Sequence, residues 1–136
     1  MLNSHLNASQ VGTVGEQLVR YKLMRWGYEA IMVEQGNDYD IVVLGEMPIR
    51  IQVKSTKEPD PGRAQSYKFS TCKGSTCTSK YTKEMVDCFA FVALDIEKIL
   101  FTPPVLTKSK RIYIDKFIVG DDYTSWSDIV DTIWQL

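Results

Sequence analysis

The chain has 136 residues, of which 44% are hydrophobic and 24% charged, which is typical of one folded domain and excludes a disordered or fibrous chain. Its formal net charge of -1 excludes a protein coated in positive charge, the simplest signature of a nucleic-acid binder. The polar N-terminus and the short apolar runs predict neither a signal peptide nor a membrane-spanning helix, so we expect a cytoplasmic protein.

The first predicted element is a helix from Val11 to Trp26, with Ser9 or Gln10 near its start and Gly27 at its end. Glu16 lies in the first half of this helix. Runs of apolar or alternating residues then predict strands, separated by turns rich in Gly, Pro and Asn. The predicted strands are Tyr28–Glu34, Asp40–Leu44, Arg50–Thr56, Ser66–Ser70, Cys88–Leu94, Ile99–Thr102 and, as the edge of the sheet, Arg111–Ile114.

Between these strands, the polar residues of Thr71–Lys80 predict a mobile surface loop, and Tyr81–Asp87 a short helical turn. The chain ends in a predicted amphipathic helix after a cap at Thr124 or Ser125. Its apolar stripe, which includes the tryptophans at 126 and 134, is expected to pack into the core or to form a dimer seam. The fold class is therefore one α/β (α+β) unit with a mixed central β-sheet flanked by helices.

The three cysteines, Cys72, Cys77 and Cys88, are an odd number, which does not suggest a disulfide framework and fits a reducing compartment. A zinc site at Cys72 and Cys77 would need two further ligands, and the only histidine, His5, is distant in sequence. We therefore do not expect a cysteine-bound metal.

Charge is distributed unevenly along the chain. Between Arg50 and Lys83, eight basic residues face two acidic ones, a local net charge of +6, whereas Asp115 onward holds five aspartates and one lysine, a net of -4. This asymmetry indicates one face for a polyanion, although a solvated lysine loop would give the same pattern. The basic residues expected to contact DNA phosphates are Arg50, Lys57, Arg63, Lys68, Lys73, Lys80 and Lys83.

The residues most informative about chemistry lie in two neighbouring predicted strands. Side chains two apart in a strand share a face, so Gln52 and Lys54 point together, opposite Ile51 and Val53. If the strand beginning at Asp40 pairs with this one, a carboxylate, an amide oxygen and an ammonium group converge at one end of the sheet. That arrangement is typical of a metal site.

Mg²⁺ prefers oxygen ligands in octahedral geometry and retains several waters. Asp40, Gln52 and Glu16 would supply side-chain oxygens, and a backbone carbonyl, assigned to Val53, would complete the protein ligands. A bound Mg²⁺, or Mn²⁺ in its place, would polarise a phosphate and lower the pKa of a bound water, while Lys54 would orient that water or stabilise charge on the phosphate. The expected reaction is phosphodiester hydrolysis.

The combination of Gly15-Glu16 on a helix, Asp40-Ile41-Val42-Val43 and Ile51-Gln52-Val53-Lys54 resembles the PD-(D/E)XK nucleases. It is most similar to the branch that holds archaeal-type Holliday-junction resolvases and intron-encoded homing endonucleases, over roughly residues 11 to 104. The resemblance implies a restriction-endonuclease-like core, catalytic roles for Glu16, Asp40, Gln52 and Lys54, DNA as partner, and a homodimer or higher homo-oligomer. It also implies a location at the nucleoid, or in the host cytoplasm for a phage-encoded protein.

Each of these residues has a simpler interpretation. Glu16 could pair with Arg20 one helical turn away, Asp38 could replace Asp40 as ligand, and Lys54 could be a solvated strand lysine. Gln52 stands where most members of the resembled family carry an acid. That departure supports an alternative function, a non-catalytic DNA-binding or interaction module that retains the nuclease fold.

Overall fold

The structure is a computed structural model that describes residues 3–34, 36–73 and 79–135, without the side chain of residue 79. Most of its secondary structure lies in strands, with a long helix near each end of the chain. The elements in chain order are α1 (Ala8–Arg25), β1 (Ala30–Met32), β2 (Ile41–Val43), β3 (Ile49–Thr56), β4 (Ser66–Ser70), β5 (Cys72–Lys73), β6 (Ser79–Lys80), β7 (Cys88–Ala93), β8 (Lys98–Thr102), β9 (Ser109–Tyr113), α2 (Ile114–Ile118) and α3 (Asp122–Trp134).

Within the described residues, the central sheet has five strands in the order β1-β2-β3-β7-β8. The β3–β7 pair is parallel, and the other pairs are antiparallel. Two short ribbons, β4–β9 and β5–β6, lie outside this sheet. The mixed sheet flanked by helices confirms the predicted fold class, although β9 pairs with β4 rather than forming an edge of the central sheet.

The sheet separates two apolar clusters. One contains buried residues of α1 and α3 together with Ile51 and Val53 of β3, and the other contains the ribbon residues Tyr67 and Phe69 with Phe91 of β7. Gln52 and Lys54 point away from the helical cluster, as the two-residue period of a strand predicts. Trp126 is fully buried in the helical cluster, which favours the core interpretation of the C-terminal stripe over a dimer seam.

Both long helices begin earlier than the sequence suggested. The side chain of Asn7, rather than Ser9 or Gln10, caps α1, in a reciprocal pair of hydrogen bonds with Gln10, each 2.9 Å long. Asp121 caps α3 by accepting a hydrogen bond from the Thr124 backbone N–H at 2.9 Å. In both cases an acceptor side chain stands three residues before the backbone N–H that it binds, which is the usual geometry of a helix N-terminus.

The prediction of a mobile surface loop at 71–80 was wrong in its described part. Thr71 and Cys72 are buried, and β5 pairs with β6. Cys72 is also disulfide-bonded, which the odd number of cysteines did not suggest; Cys77 lies outside the described residues. The Tyr81–Asp87 segment contains a single turn, closed by the Met85 N–H on the Thr82 carbonyl, in agreement with the short turn predicted there. In the described part of the chain, no helix is long and apolar enough to cross a membrane.

Candidate active site

Asp40 lies immediately before β2, directly beside β3. Its backbone N–H donates to the Ile51 carbonyl at 2.8 Å, and its Oδ2 accepts a hydrogen bond of 2.9 Å from the Val53 backbone N–H. The carboxylate is therefore fixed against the same strand that carries Gln52 and Lys54. Burial raises the pKa of Asp40, while the Val53 N–H and the charge of Lys54 oppose that rise.

Asp38, the alternative ligand, has a different partner in the structure. Its carboxylate forms an ion pair with the ammonium group of Lys73, with 2.7 Å between Lys73 Nζ and Asp38 Oδ1. The structure therefore places Asp40, and not Asp38, in hydrogen-bonding contact with β3.

Gln52 is buried and its side-chain amide faces two acceptors. Nε2 donates to Asp40 Oδ2 at 2.9 Å and to the Val53 carbonyl at 3.2 Å. Only the NH₂ end of the amide can satisfy two acceptors, because the carbonyl end would repel both. The amide nitrogen thus bridges two oxygen atoms, from Asp40 and Val53, that the sequence suggested as metal ligands.

Glu16 reaches this region because α1 lies very close to β3. A Cβ atom on Gly15 would stand 1.7 Å from the Ser55 Oγ and 2.8 Å from the Ser55 Cβ, so this contact needs a residue without a side chain. Burial, and secondarily the charge of Asp40, raise the pKa of Glu16 from 4.5 to about 7. Two carboxyl groups therefore interact electrostatically in a partly buried position.

The Lys54 side chain projects from β3 and is only partly exposed. Its Nζ donates to the Cys72 carbonyl at 3.1 Å and stands 5.1 Å from the centroid of the Tyr81 ring. Burial lowers the pKa of Lys54, and the charge of Asp40 opposes this effect. These contacts differ from those of a lysine extended into solvent, which was the simpler interpretation.

The residues present suit a hard cation. Among the described residues, no group of three or more His, Cys, Asp and Glu side chains is arranged to hold a metal. However, Asp40 Oδ2 and the Val53 carbonyl lie within hydrogen-bonding distance of one donor, Gln52 Nε2. The charge of Asp40 also contributes to the raised pKa of Glu16. Carboxylate and carbonyl oxygens with retained waters are the ligands that Mg²⁺ prefers, and a cation would relieve the repulsion between the two carboxylates.

The basic residues suggested as phosphate contacts fall into two groups. The exposed ones are Arg63, Lys68, Lys80 and Lys83. The other three are half-buried and bind other groups of the protein: Lys57 donates to the Leu6 carbonyl at 3.1 Å, Lys73 pairs with Asp38, and Arg50 contacts Asp87. The Arg50 guanidinium also donates to the Glu84 carbonyl at 2.7 Å, so its donors already have partners within the chain.

Sequence reasoning missed Tyr81 and the Cys72 carbonyl, the two neighbours of the Lys54 ammonium group. Tyr81 is a single aromatic residue after a polar stretch, and Cys72 contributes a backbone atom. Neither belongs to a spaced motif, so no pattern in the sequence indicated their proximity to Lys54.

Comparison with solved structures identifies the fold. The chain superimposes on the bacterial homing endonuclease I-Ssp6803I with a TM-score of 0.68 at 13% identity, over 93% of each chain. It also superimposes on Hjc, a Holliday junction resolvase from the archaeal hyperthermophile Archaeoglobus fulgidus, with a TM-score of 0.53 at 19% identity, over 86% of this chain and 95% of that one. No protein-family model and no curated protein matches the sequence.

Proposed function

We propose that the chain is a metal-dependent endonuclease that hydrolyses phosphodiester bonds in DNA. Its fold is that of PD-(D/E)XK-type nucleases, which confirms the resemblance drawn from the sequence at the level of the fold. The observation that carries the proposal is that the Asp40 carboxylate and the Val53 carbonyl meet at one atom, because Gln52 Nε2 lies 2.9 Å from Asp40 Oδ2 and 3.2 Å from the Val53 carbonyl oxygen. Lys54 lies on the same face of β3 as Gln52.

In the proposed site, Asp40, the Val53 carbonyl and Glu16 would hold the cation, and the Gln52 amide would have to turn to contribute its oxygen. Mg²⁺, or Mn²⁺ in its place, would supply charge that polarises the scissile phosphate and lowers the pKa of a water molecule. The water oxygen would form a bond to phosphorus and lose a proton to solvent, while the bond from phosphorus to the leaving nucleotide oxygen breaks and that oxygen takes up a proton from solvent. One strand is thereby cut into two ends.

Lys54 stabilises the negative charge that develops on the phosphate oxygens. Its ammonium group is partly withdrawn from water, and charges interact more strongly in such surroundings than in bulk solvent. Burial lowers the pKa of Lys54, and the charge of Asp40 opposes this effect. We propose that the protonated lysine acts as a cation on the phosphate.

The exposed basic residues would hold the DNA backbone on either side of the cut. We propose Arg63, Lys68, Lys80 and Lys83 as phosphate contacts, and Lys73 and Lys57 as contacts that require rearrangement of their present bonds. Arg50 is left out because Asp87 and the Glu84 carbonyl already bind its guanidinium. Backbone contacts of this kind supply affinity without sequence preference.

The named activities of the two similar structures suggest two substrate classes, a specific DNA site and a four-way junction. Cutting both strands of either substrate needs two active sites, so a two-fold homodimer is the assembly we propose. Its mass in solution is measured by light scattering coupled to size-exclusion chromatography.

A second candidate function is supported by Gln52. Because its NH₂ group binds Asp40 and the Val53 carbonyl, the oxygens of the proposed metal site are satisfied without a metal. A non-catalytic DNA-binding module would keep this arrangement permanently.

One experiment separates the candidates. Labelled duplex, single-stranded and four-way-junction DNA are incubated with the protein in Mg²⁺, Mn²⁺ or EDTA. The nuclease predicts cleavage only with metal, and its loss in Lys54→Ala but not in the control Lys116→Ala, an exposed lysine on α2. Binding of DNA in EDTA, without cleavage under any condition, would instead support the binding module.

A further inference from the structure

The ammonium group of Lys54 has two neighbours that come from outside the central sheet. One is the Cys72 carbonyl of β5, which accepts its hydrogen bond at 3.1 Å, and the other is the ring of Tyr81, directly after β6, at 5.1 Å from the ring centroid. Cys72 lies in the β5–β6 ribbon, and Tyr81 directly follows it. The flexible end of the lysine is therefore held by a part of the chain other than the strand that carries it.

Tyr81 is itself firmly packed. It is 7% exposed, and its ring makes an edge-to-face contact with Phe89 of β7, with 5.2 Å between the centroids. Phe89 is the partner of Gln52 in the parallel β3–β7 register. The Tyr81 ring therefore packs against the same part of the sheet that carries the candidate active site. It contacts Phe89 and the Lys54 ammonium group at the same time.

A purely structural role for Tyr81 would require only an apolar side chain against Phe89. The distinguishing feature is the cation at the ring, because an ammonium group normally extends into water. An aromatic face is electron-rich and attracts a cation, more strongly where both are partly desolvated. Burial, with smaller effects from Asp40 and Asp38, raises the pKa of Tyr81 to about 12, so the ring stays neutral and the attraction comes from its π-electrons.

We infer that Tyr81 is a positioning residue for Lys54: its ring, together with the Cys72 carbonyl, fixes the ammonium group beside Asp40. This inference rests on the proposed function for its catalytic consequence. A free lysine side chain has rotamer entropy to lose when it is fixed. Tyr81 removes that freedom before DNA binds, and a displacement of about 1 Å in such a group can lower a rate on the order of a hundredfold.

The β5 strand is tied to the candidate site at a second point. Lys73, next to Cys72, pairs with Asp38, which lies two residues before Asp40. The strand therefore contacts both the lysine and the segment that leads to the carboxylate. The Lys73–Asp38 ion pair therefore helps the small two-stranded ribbon to hold the Cys72 carbonyl against Lys54.

The first test is the NMR spectrum of the metal-free protein in EDTA, with the Lys54 signals assigned through Lys54→Arg. An aromatic face shifts nearby protons upfield, so the Lys54 Hε signals should lie upfield of those of the exposed lysines. The shift should persist in Tyr81→Phe and vanish in Tyr81→Leu, while the control Tyr113→Leu, at an exposed position, leaves it unchanged. Lys54 signals that stay in place in Tyr81→Leu would overturn the inference.

The second test is cleavage at saturating metal. Tyr81→Leu should lower kcat about tenfold or more with the KM for DNA within about twofold, whereas Tyr81→Phe should keep both values. If Tyr81→Leu fails to fold, pentafluorophenylalanine at this position replaces it, because fluorination keeps the shape of the ring but removes its negative face. A fluorinated variant that equals Tyr81→Phe in kcat would show that only packing matters and would overturn the inference.

The two tests distinguish a failure of the inference about Tyr81 from a failure of the proposed function. The NMR measurement needs no catalysis, so it judges the position of Lys54 even if the wild type cuts no DNA. Absence of cleavage by the wild type would contradict the proposed function, and an unshifted Lys54 in an active wild type would contradict the inference.

Discussion

The side-chain amide of Gln52 donates a hydrogen bond to the carboxylate of Asp40, with 2.9 Å between Gln52 Nε2 and Asp40 Oδ2. Nε2 also contacts the Val53 carbonyl at 3.2 Å, so an NH₂ group faces both oxygens. A cation at the same two oxygens would need the amide to turn, so that its oxygen replaces its nitrogen. In the proposed metal site, Gln52 would therefore stabilise the metal-free form and weaken metal binding through the same contact.

Gln52→Glu should lower the stability of the metal-free protein and raise its affinity for metal. A second carboxylate beside Asp40 lacks the two hydrogen bonds and adds like-charge repulsion, so the free energy of unfolding in EDTA should fall by about 1–3 kcal/mol. The added charge should strengthen Mn²⁺ binding about tenfold or more, measured by calorimetry. Gln17→Glu, an exposed position on α1, is the control for adding one charge. Equal Mn²⁺ affinity in wild type and Gln52→Glu would contradict the assignment of Gln52 to the metal site.

The raised pKa of Glu16 predicts how stability depends on pH. Its pKa is about 7 in the folded protein, from burial and the charge of Asp40, and 4.5 as the reference value. Between these values the folded state binds more protons than the unfolded state, so the free energy of unfolding in EDTA should fall as pH rises from 4.5 to 7. For a partly exposed group we expect an effect on the order of 1 kcal/mol.

Glu16→Gln should remove this component of the pH dependence. The free energy of unfolding of the variant minus that of wild type should therefore be larger at pH 8 than at pH 5. Urea unfolding at the two pH values measures the difference, with Glu46→Gln, at an exposed position, as the control. If wild type and Glu16→Gln lose the same stability between pH 5 and pH 8, Glu16 is not the group responsible.

The contact between α1 and β3 at Gly15 predicts opposite effects of one substitution at two positions. Gly15→Ala would place a Cβ 1.7 Å from the Ser55 Oγ, and the forced displacement should cost about 1–3 kcal/mol. Gly12→Ala meets nothing within 4 Å and should stabilise the same helix by about 0.5–1 kcal/mol. Thermal unfolding measures both. Equal effects of the two substitutions would contradict the close approach that brings Glu16 to the site.

The exposed lysines predict the salt dependence of DNA binding. Each lost phosphate contact should reduce the magnitude of the slope of log affinity against log salt concentration by about 0.9. Lys80→Ala and Lys83→Ala should each show this reduction in EDTA, measured by fluorescence anisotropy, whereas Lys116→Ala should keep the wild-type slope. An unchanged slope in the double variant of Lys80 and Lys83 would place the DNA on another face.

The parts of the fold that sequence predicted best are those with a strict local period. Alternation in Arg50–Thr56 predicted that Gln52 and Lys54 share a face, and the apolar run after Asp40 predicted its neighbouring strand; both strands are present. Helix starts were less accurate because the capping residues, Asn7 and Asp121, are decided by a few local hydrogen bonds.

Contacts between segments distant in sequence were not predictable in this way. Tyr81 meets Lys54 because the β5–β6 ribbon folds back onto β3, and the polar composition of that ribbon indicated an exposed loop instead. Similarly, Arg50 has the charge of a DNA contact, and only the fold reveals that Asp87 binds its guanidinium. A residue type defines what a side chain can do, whereas its partners depend on the tertiary structure.

We propose that Asp40 supports metal-dependent cleavage of DNA, and this is tested by comparing single-turnover cleavage by wild type and Asp40→Asn. The substitution keeps the shape of the side chain and removes its charge, and Lys116→Ala serves as the control. Reactions contain Mg²⁺ and enough protein to occupy all the DNA, with occupancy checked in EDTA. We expect Asp40→Asn to cut DNA on the order of a hundredfold more slowly than wild type, or more slowly still. Cleavage at the wild-type rate by Asp40→Asn, or by wild type in EDTA, would contradict this proposal.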